Sequence, residues 1–251
     1  MKVFWKMTLT ELRLSTRNLV FLLSTLLLPL LLIAVFGGLY GNDLSENNIR
    51  LFGMGAVSAS APAYLALALG IIAFTGMPQQ LVSYKENKVL KRLKATPIKK
   101  YQILLPIFLN YLILFFVGMA LLFLYAQLMF GVHLQGNVFA FSFAVMLSVV
   151  AMFSIGFLLA CLCKNLKQVT AIGFTILVPM TFLSGTTMPM GAFPDAMENI
   201  SRFVPLSHCV ELMRNTFTGT STLGDNLFAI IVLSVITVIC CALSFVLFKW
   251  E

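Results

Sequence analysis

The amino-acid sequence predicts an all-α membrane protein: six transmembrane helices, an amphipathic N-terminal interfacial helix, and a re-entrant helical hairpin before the last span. Three observations point there. Of 251 residues, 60% are apolar and 10% charged, against roughly 25% charged in ordinary soluble domains. Six stretches, at about 19–40, 51–77, 103–130, 138–163, 169–187 and 227–248, are long enough to cross roughly 30 Å of hydrocarbon, and none contains Asp, Glu, Lys or Arg. Finally, 14 of the 17 basic residues fall in alternate segments, which sets an orientation with both termini in the cytoplasm of a plasma-membrane protein. The whole chain, 1–251, reads as a single transmembrane domain.

Residues 1–18 come first. Placed on a helical wheel, Lys2, Lys6, Arg13 and Arg17 cluster within about 60°, while Phe4, Trp5, Leu9 and Leu12 cover a neighbouring apolar arc. Such a helix lies in the interface with its cations at the phosphates and Trp5 in the acyl boundary. A plain positively charged flank without fixed orientation is the alternative.

The spans follow as helices because lipid offers no partner for a free backbone group. Pro29, Pro62, Pro106 and Pro179 fall within them, as membrane helices tolerate. Ala66 with Gly70 and Gly156 with Ala160 form small-xxx-small pairs that permit close helix approach.

The inner segment 78–102 carries seven of the basic residues. Read as a helix from Leu81 to Ala95, it sets Val82, Glu86, Val89 and Leu93 on one stripe with Leu90 beside it, opposite Lys85, Lys88, Lys91 and Arg92. Glu86 has Val89 and Leu90 at i+3 and i+4 and so lacks an intrahelical cation. Its carboxylate needs a partner elsewhere, either a basic residue of the N-terminal helix or a Lys or Arg of another protein. Thr96 and Pro97 end this helix. A solvated basic loop that serves only topology is the other reading.

The outer segment 184–226 is too long for a simple connection. Pro194, Asp195 and Glu198 resemble a capping arrangement ahead of the apolar stripe Met197, Ile200, Phe203 and Val204. A second short helix from Ser207 to Phe217 carries Glu211 and Arg214 at i, i+3 and stops at Gly219. A cap with packing value alone would look the same.

The remaining chemistry is sparse. The five cysteines, Cys161, Cys163, Cys209, Cys240 and Cys241, have no metal-ligand spacing, and His133 and His208 stand alone. No phosphate-binding loop and no intramembrane acid pair occurs, so neither a catalytic residue, nor a bound cofactor, nor a metal is assigned to this chain. The net charge of +8 follows from topology and anionic lipid and requires no nucleic acid.

Two runs carry a resemblance. ENKVLKRLKATPIKKYQIL, from Glu86 to Leu104, is similar to the coupling-helix segment of the type-2 ABC transporter permeases. LSGTTMPMGAFPDAMENISRFVPLSHCVELMR, from Leu183 to Arg214, resembles that family's outer signature, with Ser-Gly, spaced prolines and an Arg nine residues after Pro205. Where many members carry Gly-Thr-Leu-Glu, this chain reads Lys88-Val89-Leu90-Lys91. The resemblance implies a transport subunit without its own ATPase site. It would pair with a second permease, identical or homologous, and with two cytosolic nucleotide-binding ATPase subunits that carry ATP and Mg. It further implies that Glu86, Val89, Leu90, Leu93, Thr96 and Pro97 dock on that ATPase. Ser184, Gly185, Pro189, Pro194, Pro205, Glu211 and Arg214 would then belong to an outer gate hairpin. With 23 Phe and 13 Met, the chain suits export of a hydrophobic or amphipathic solute such as a drug, an antimicrobial peptide or a lipid. Family members that export lipid-linked polysaccharide share this architecture. Outside the family, an ion-coupled carrier and a non-transporting anchor remain as other classes.

Overall fold

The computed structural model describes residues 2–42, 55–89, 101–186 and 195–247. Among the described residues the chain is all-helical, and six helices are long and apolar enough to cross a membrane. In chain order the elements are α1 (Lys2–Arg17), α2 (Leu19–Tyr40), α3 (Ala56–Glu86), α4 (Tyr101–Phe130) and α5 (Val138–Leu162). They continue as α6 (Leu166–Leu183), α7 (Asp195–Ser201), α8 (Pro205–Thr218) and α9 (Leu227–Leu247). All four span prolines lie inside helices.

The spans play unequal parts. In α3, 89% of the apolar window is buried within the chain, against 11% in α9 and 22% in α2, so α3 is the axis and the others wrap it. Its upper part makes this possible. Ala59, Ala61, Ala63, Ala66 and Ala68 expose almost nothing, and their short side chains let α2, α4 and α8 come close.

A π turn, Ile72–Gly76, interrupts α3 at mid-length. Two glycines press on it from either side. A Cβ at Gly156 of α5 would collide with the Ala73 carbonyl oxygen, and one at Gly173 of α6 with that of Phe74. The small pair foreseen at Gly156 and Ala160 therefore marks a true close approach, with Ala160 also buried. Hydroxyls complete the turn: Thr75 Oγ1 donates to Ile71 O at 2.6 Å, and Tyr111 Oη, which shares its one proton with a second acceptor, lies 3.0 Å from Gly76 O.

Two boundaries differ from expectation. The second span runs on as helix to Glu86, nine residues past the foreseen end, through Gln79, Gln80, Ser83, Tyr84 and Lys85. Hydropathy stops where polar residues begin, whereas the helix continues, with Gln80, Tyr84 and Lys85 bonded to neighbouring elements. The continuous helix expected over 81–95 also does not form. Asn87 closes the C-terminus, with its N–H donating to Ser83 O at 3.0 Å, and Lys88 turns into the left-handed region at φ 56°. Glu86 and Val89 consequently do not share one helical stripe.

Candidate functional site

The last three turns of α3 carry a band of polar side chains that reaches four neighbouring elements. Toward α1, Tyr84 Oη donates to Glu11 Oε1 at 2.6 Å and the Gln80 amide donates to Glu11 Oε2. Toward α4, Tyr111 Oη donates to Gln80 Oε1 at 2.7 Å. On the α5 side, Lys85 Nζ donates to Ala160 O at 2.5 Å. At α6, the Glu86 carboxylate accepts the Leu166 N–H at 2.8 Å.

Local sequence explains each position. On α1, Thr8, Glu11 and Ser15 recur at i, i+3 and i+7 and form the buried face, at 1%, 7% and 8% exposure. Trp5, Lys6, Leu9, Arg13, Leu14 and Arg17 are exposed. The side of α1 that meets the protein is thus its small polar stripe. Ser15 extends the contact by accepting from the Asn110 amide at 2.6 Å, with both residues buried.

Burial raises the Glu11 carboxyl above its ordinary value, partly offset by the Tyr84 and Gln80 donors. Glu86 is exposed and takes a different role. It accepts one of the backbone N–H groups left free at the start of α6, where the helix dipole favours a carboxylate. Asn165 caps the same terminus by accepting from Gln168 N at 2.8 Å. Among the described residues the Glu86 carboxylate thus receives a backbone donor of α6.

Of the residues expected at the coupling segment, Glu86 ends α3 and Val89 follows the Lys88 turn, whereas Leu90, Leu93, Thr96 and Pro97 lie outside the described residues. Sequence reasoning passed over Glu11, Gln80 and Tyr84. The signal was the Thr8, Glu11 and Ser15 spacing, which a search for hydrophobic faces discards.

At the opposite end of the bundle, Ser184 follows α6 and is buried, with its Oγ donating to Thr181 O at 3.1 Å, and Gly185 takes φ 75°. Pro205 opens α8 at N1 and Gly219 closes it in the left-handed conformation. Ser207 Oγ donates to Leu183 O at 3.3 Å and joins α8 to the end of α6. Glu211 is half exposed, 4.0 Å from the buried His208 Nδ1. Arg214 is half-buried and feels the Glu211 charge. Phe217 stacks on Phe123 with ring centroids 5.0 Å apart, and its carbonyl accepts from Gln135 N and Gly136 N at 3.1 and 2.9 Å. The foreseen apolar stripe of α7 is split: Val204 is buried, while Met197, Ile200 and Phe203 are exposed. Pro189 and Pro194 lie outside the described residues.

Chemically, the site offers hydrogen bonds that hold helices together. Among the described residues no group of His, Cys, Asp and Glu could bind a metal ion.

Comparison with known proteins agrees with this architecture. A family model described as ABC-2 type transporter matches residues 2–218. The inner membrane transport permease YhhJ of Escherichia coli (strain K12) is 27% identical over 133 residues, 53% of this chain and 36% of that permease. Nodulation protein J of Rhizobium leguminosarum bv. viciae is 41% identical over 44 residues, 18% of this chain and 17% of that protein. The chain thus aligns with about a third, or less, of the length of these relatives. Because the family match takes in most of the chain and the structure supplies six helices fit to span a bilayer, the chain belongs to the ABC-2 type transporter family as a multi-pass membrane permease.

Proposed function

We propose that this permease exports a hydrophobic or amphipathic solute, driven by a separate nucleotide-binding subunit present in two copies that carries ATP and Mg. A second permease, identical or homologous, completes the transporter in the cell membrane, with both termini in the cytoplasm. Force from the ATPase enters at the segment after Lys88, where Val89, Leu90, Leu93, Thr96 and Pro97 form the docking face. The hairpin from Ser184 to Arg214 gates the outer exit.

The polar band of α3 is the observation that carries this reading. Its bonds to Glu11, Tyr111, Ala160 O and Leu166 N join α1, α4, α5 and α6 to the one helix that leads directly into the basic loop. Displacement of that loop would move four neighbours at once. In lipid the interhelical hydrogen bond is worth only about 0.6–2 kcal/mol, so such links exchange readily and suit a moving part. The π turn above them supplies the joint, since π turns recur at functional sites.

The test is reconstitution of the permease in liposomes with a P-loop ATPase that copurifies with it. ATP-dependent loss of a fluorescent amphiphile from the bilayer, absent without either subunit, is the expected result. Transport that runs on an ion gradient with no ATPase would replace this reading by that of a secondary carrier.

A further inference from the structure

A cleft of about 330 Å³ opens beside the polar band, between the elbow joining α1 to α2, the end of α3, the middle of α4 and the start of α6. Its polar lining is Ser15, Asn18, Gln79, Gln80, Ser83, Tyr84 and Tyr111, and among the described residues none of those lining it carries a charge. The nearest carboxylate, Glu11, is sequestered: its two oxygens are taken by Tyr84 and Gln80.

The cleft retains unspent hydrogen-bonding capacity. Gln79 is half-buried, yet its amide has no hydrogen bond among the described residues, whereas Gln80 beside it uses both ends. Asn18 Oδ1 accepts Phe21 N at 3.2 Å and leaves its NH2 free toward the cleft. Ser83 Oγ accepts from Asn87 at 3.2 Å, and its own hydrogen is uncommitted. Open to the cleft and uncommitted among the described residues, the Gln79 amide can both donate to and accept from a ligand seated there. Leu14, Phe21 and Leu166 complete the wall with apolar surface.

We infer that this cleft binds an uncharged glycosyl group, a single polyhydroxylated ring. Amides and hydroxyls that both donate and accept, set among aromatic rings, match a sugar with its alternating polar edge and apolar faces. A phosphate would find no cation among the described lining residues. A quaternary ammonium carries no donor or acceptor and would leave Gln79, Asn18 and Ser83 unsatisfied. The volume sits at the low end of the ~300–1,000 Å³ range of small-molecule pockets, so one ring enters and a longer glycan does not. The site deepens the export reading above: an amphiphile presenting such a headgroup would be held against the polar band, where the ATPase stroke arrives.

The test needs no ATPase, so its failure and the failure of the export reading are separable. Permease in nanodiscs is photolabelled with an octyl glucoside carrying a diazirine on the sugar, and the labelled peptides are mapped. Saturable labelling of the α3 segment from Gly76 to Tyr84, displaced by plain octyl glucoside and cut at least fivefold by Gln79→Leu, is expected. Gln127→Leu, an exposed position elsewhere on α4, leaves it unchanged. Displacement by glucose alone, equal to that by octyl glucoside, assigns the same site to a soluble sugar; displacement by the glucoside only assigns it to a glycolipid. The inference is overturned if octyl phosphate or octyltrimethylammonium competes as well as the glucoside. Labelling that falls outside Gly76–Tyr84, or that Gln79→Leu leaves intact in protein with an unaltered elution profile, overturns it too.

Discussion

Above its π turn, α3 is held by shape: a run of alanines and buried Leu65, Leu67 and Leu69 meets its neighbours with no side-chain hydrogen bond across the interface among the described residues, apart from those at Ser58 near the top. Below it, from Met77 to Glu86, the same helix is held by directional bonds to four different elements. Close packing tolerates little displacement, because a one-ångström gap forfeits much of the contact energy. Hydrogen bonds between polar side chains can be exchanged for others, or for water, at small net cost. One helix thereby combines an upper part held by packing with a lower part that adds directional bonds to the packing of Met77, Leu81 and Val82.

The sharpest way to break the contrast lies at the joint. Gly156→Val would force a side chain into the Ala73 carbonyl, where backbone and not a flexible side chain stands in the way. A loss of about 3 kcal/mol is expected, at the upper end of ordinary overpacking, read as an earlier midpoint in a detergent unfolding titration. A midpoint equal to the parent's would show that the π turn yields.

In the lower segment, Glu11→Leu strands the Tyr84 hydroxyl and the Gln80 amide together. A loss of about 2 kcal/mol is expected, from the cost of buried groups left unpaired. Its functional mark is ATP hydrolysis that continues while transport falls. Parallel decline of both would instead indicate general unfolding.

The Glu11 carboxyl also makes this contact depend on pH. Its value is raised in the folded chain, so the protonated form is favoured when α1 is docked. The stabilisation is complete below the ordinary value of 4.5 and fades as pH rises through the raised one. The titratable groups that meet it are Tyr84 on α3 and Tyr111 on α4, and neither ionises in the acid range. The unfolding midpoint should therefore climb on acidification in the parent, and this climb should vanish in Glu11→Gln. A slope that survives the substitution would move its origin to another group.

How much of this was legible in sequence follows from the same contrast. The upper anchor and the other spans announce themselves through apolar length, and Gly156 through its spacing from Ala160, since close packing leaves a compositional trace. The lower segment does not. Gln80, Tyr84 and Glu11 belong together only because α1 folds back on α3, a separation of some 70 positions along the chain. The apolar wheel of α1 drew attention to Trp5 and Leu9, which are exposed, while its protein-facing stripe is polar. Glu86 stood out for lacking a cation, but its partner is a backbone N–H, which no side-chain pattern encodes. The break at Asn87–Lys88 was hidden for a similar reason, because a left-handed lysine has no sequence signature of the kind glycine provides.

Topology offers a test independent of energetics. A thiol introduced by Asp195→Cys should react with an impermeant reagent in intact cells and one introduced by Lys91→Cys should not, as the distribution of basic residues requires. Reversed labelling would turn the molecule over and place the polar band outside.

The smallest effect is expected at Glu86. Its carboxylate is exposed, so solvent screens its charge, and a single contact at a helix N-terminus is worth about 0.3–1 kcal/mol. Glu86→Gln keeps an oxygen that can accept the Leu166 N–H and removes only the charge, so folding and insertion should remain at parental levels. Coupling is the more sensitive readout, because this bond joins the end of α3 to α6 a few residues before the proposed docking segment in the chain. We expect substrate moved per ATP to fall by less than half in Glu86→Gln and further in Glu86→Ala, which loses the acceptor as well. Lys88→Gln, two residues on, keeps the turn but removes a neighbouring charge and serves as the comparison. If Lys88→Gln lowers the ratio as much as Glu86→Ala, the segment acts through its net charge, and the specific bond from Glu86 to α6 carries none of the stroke.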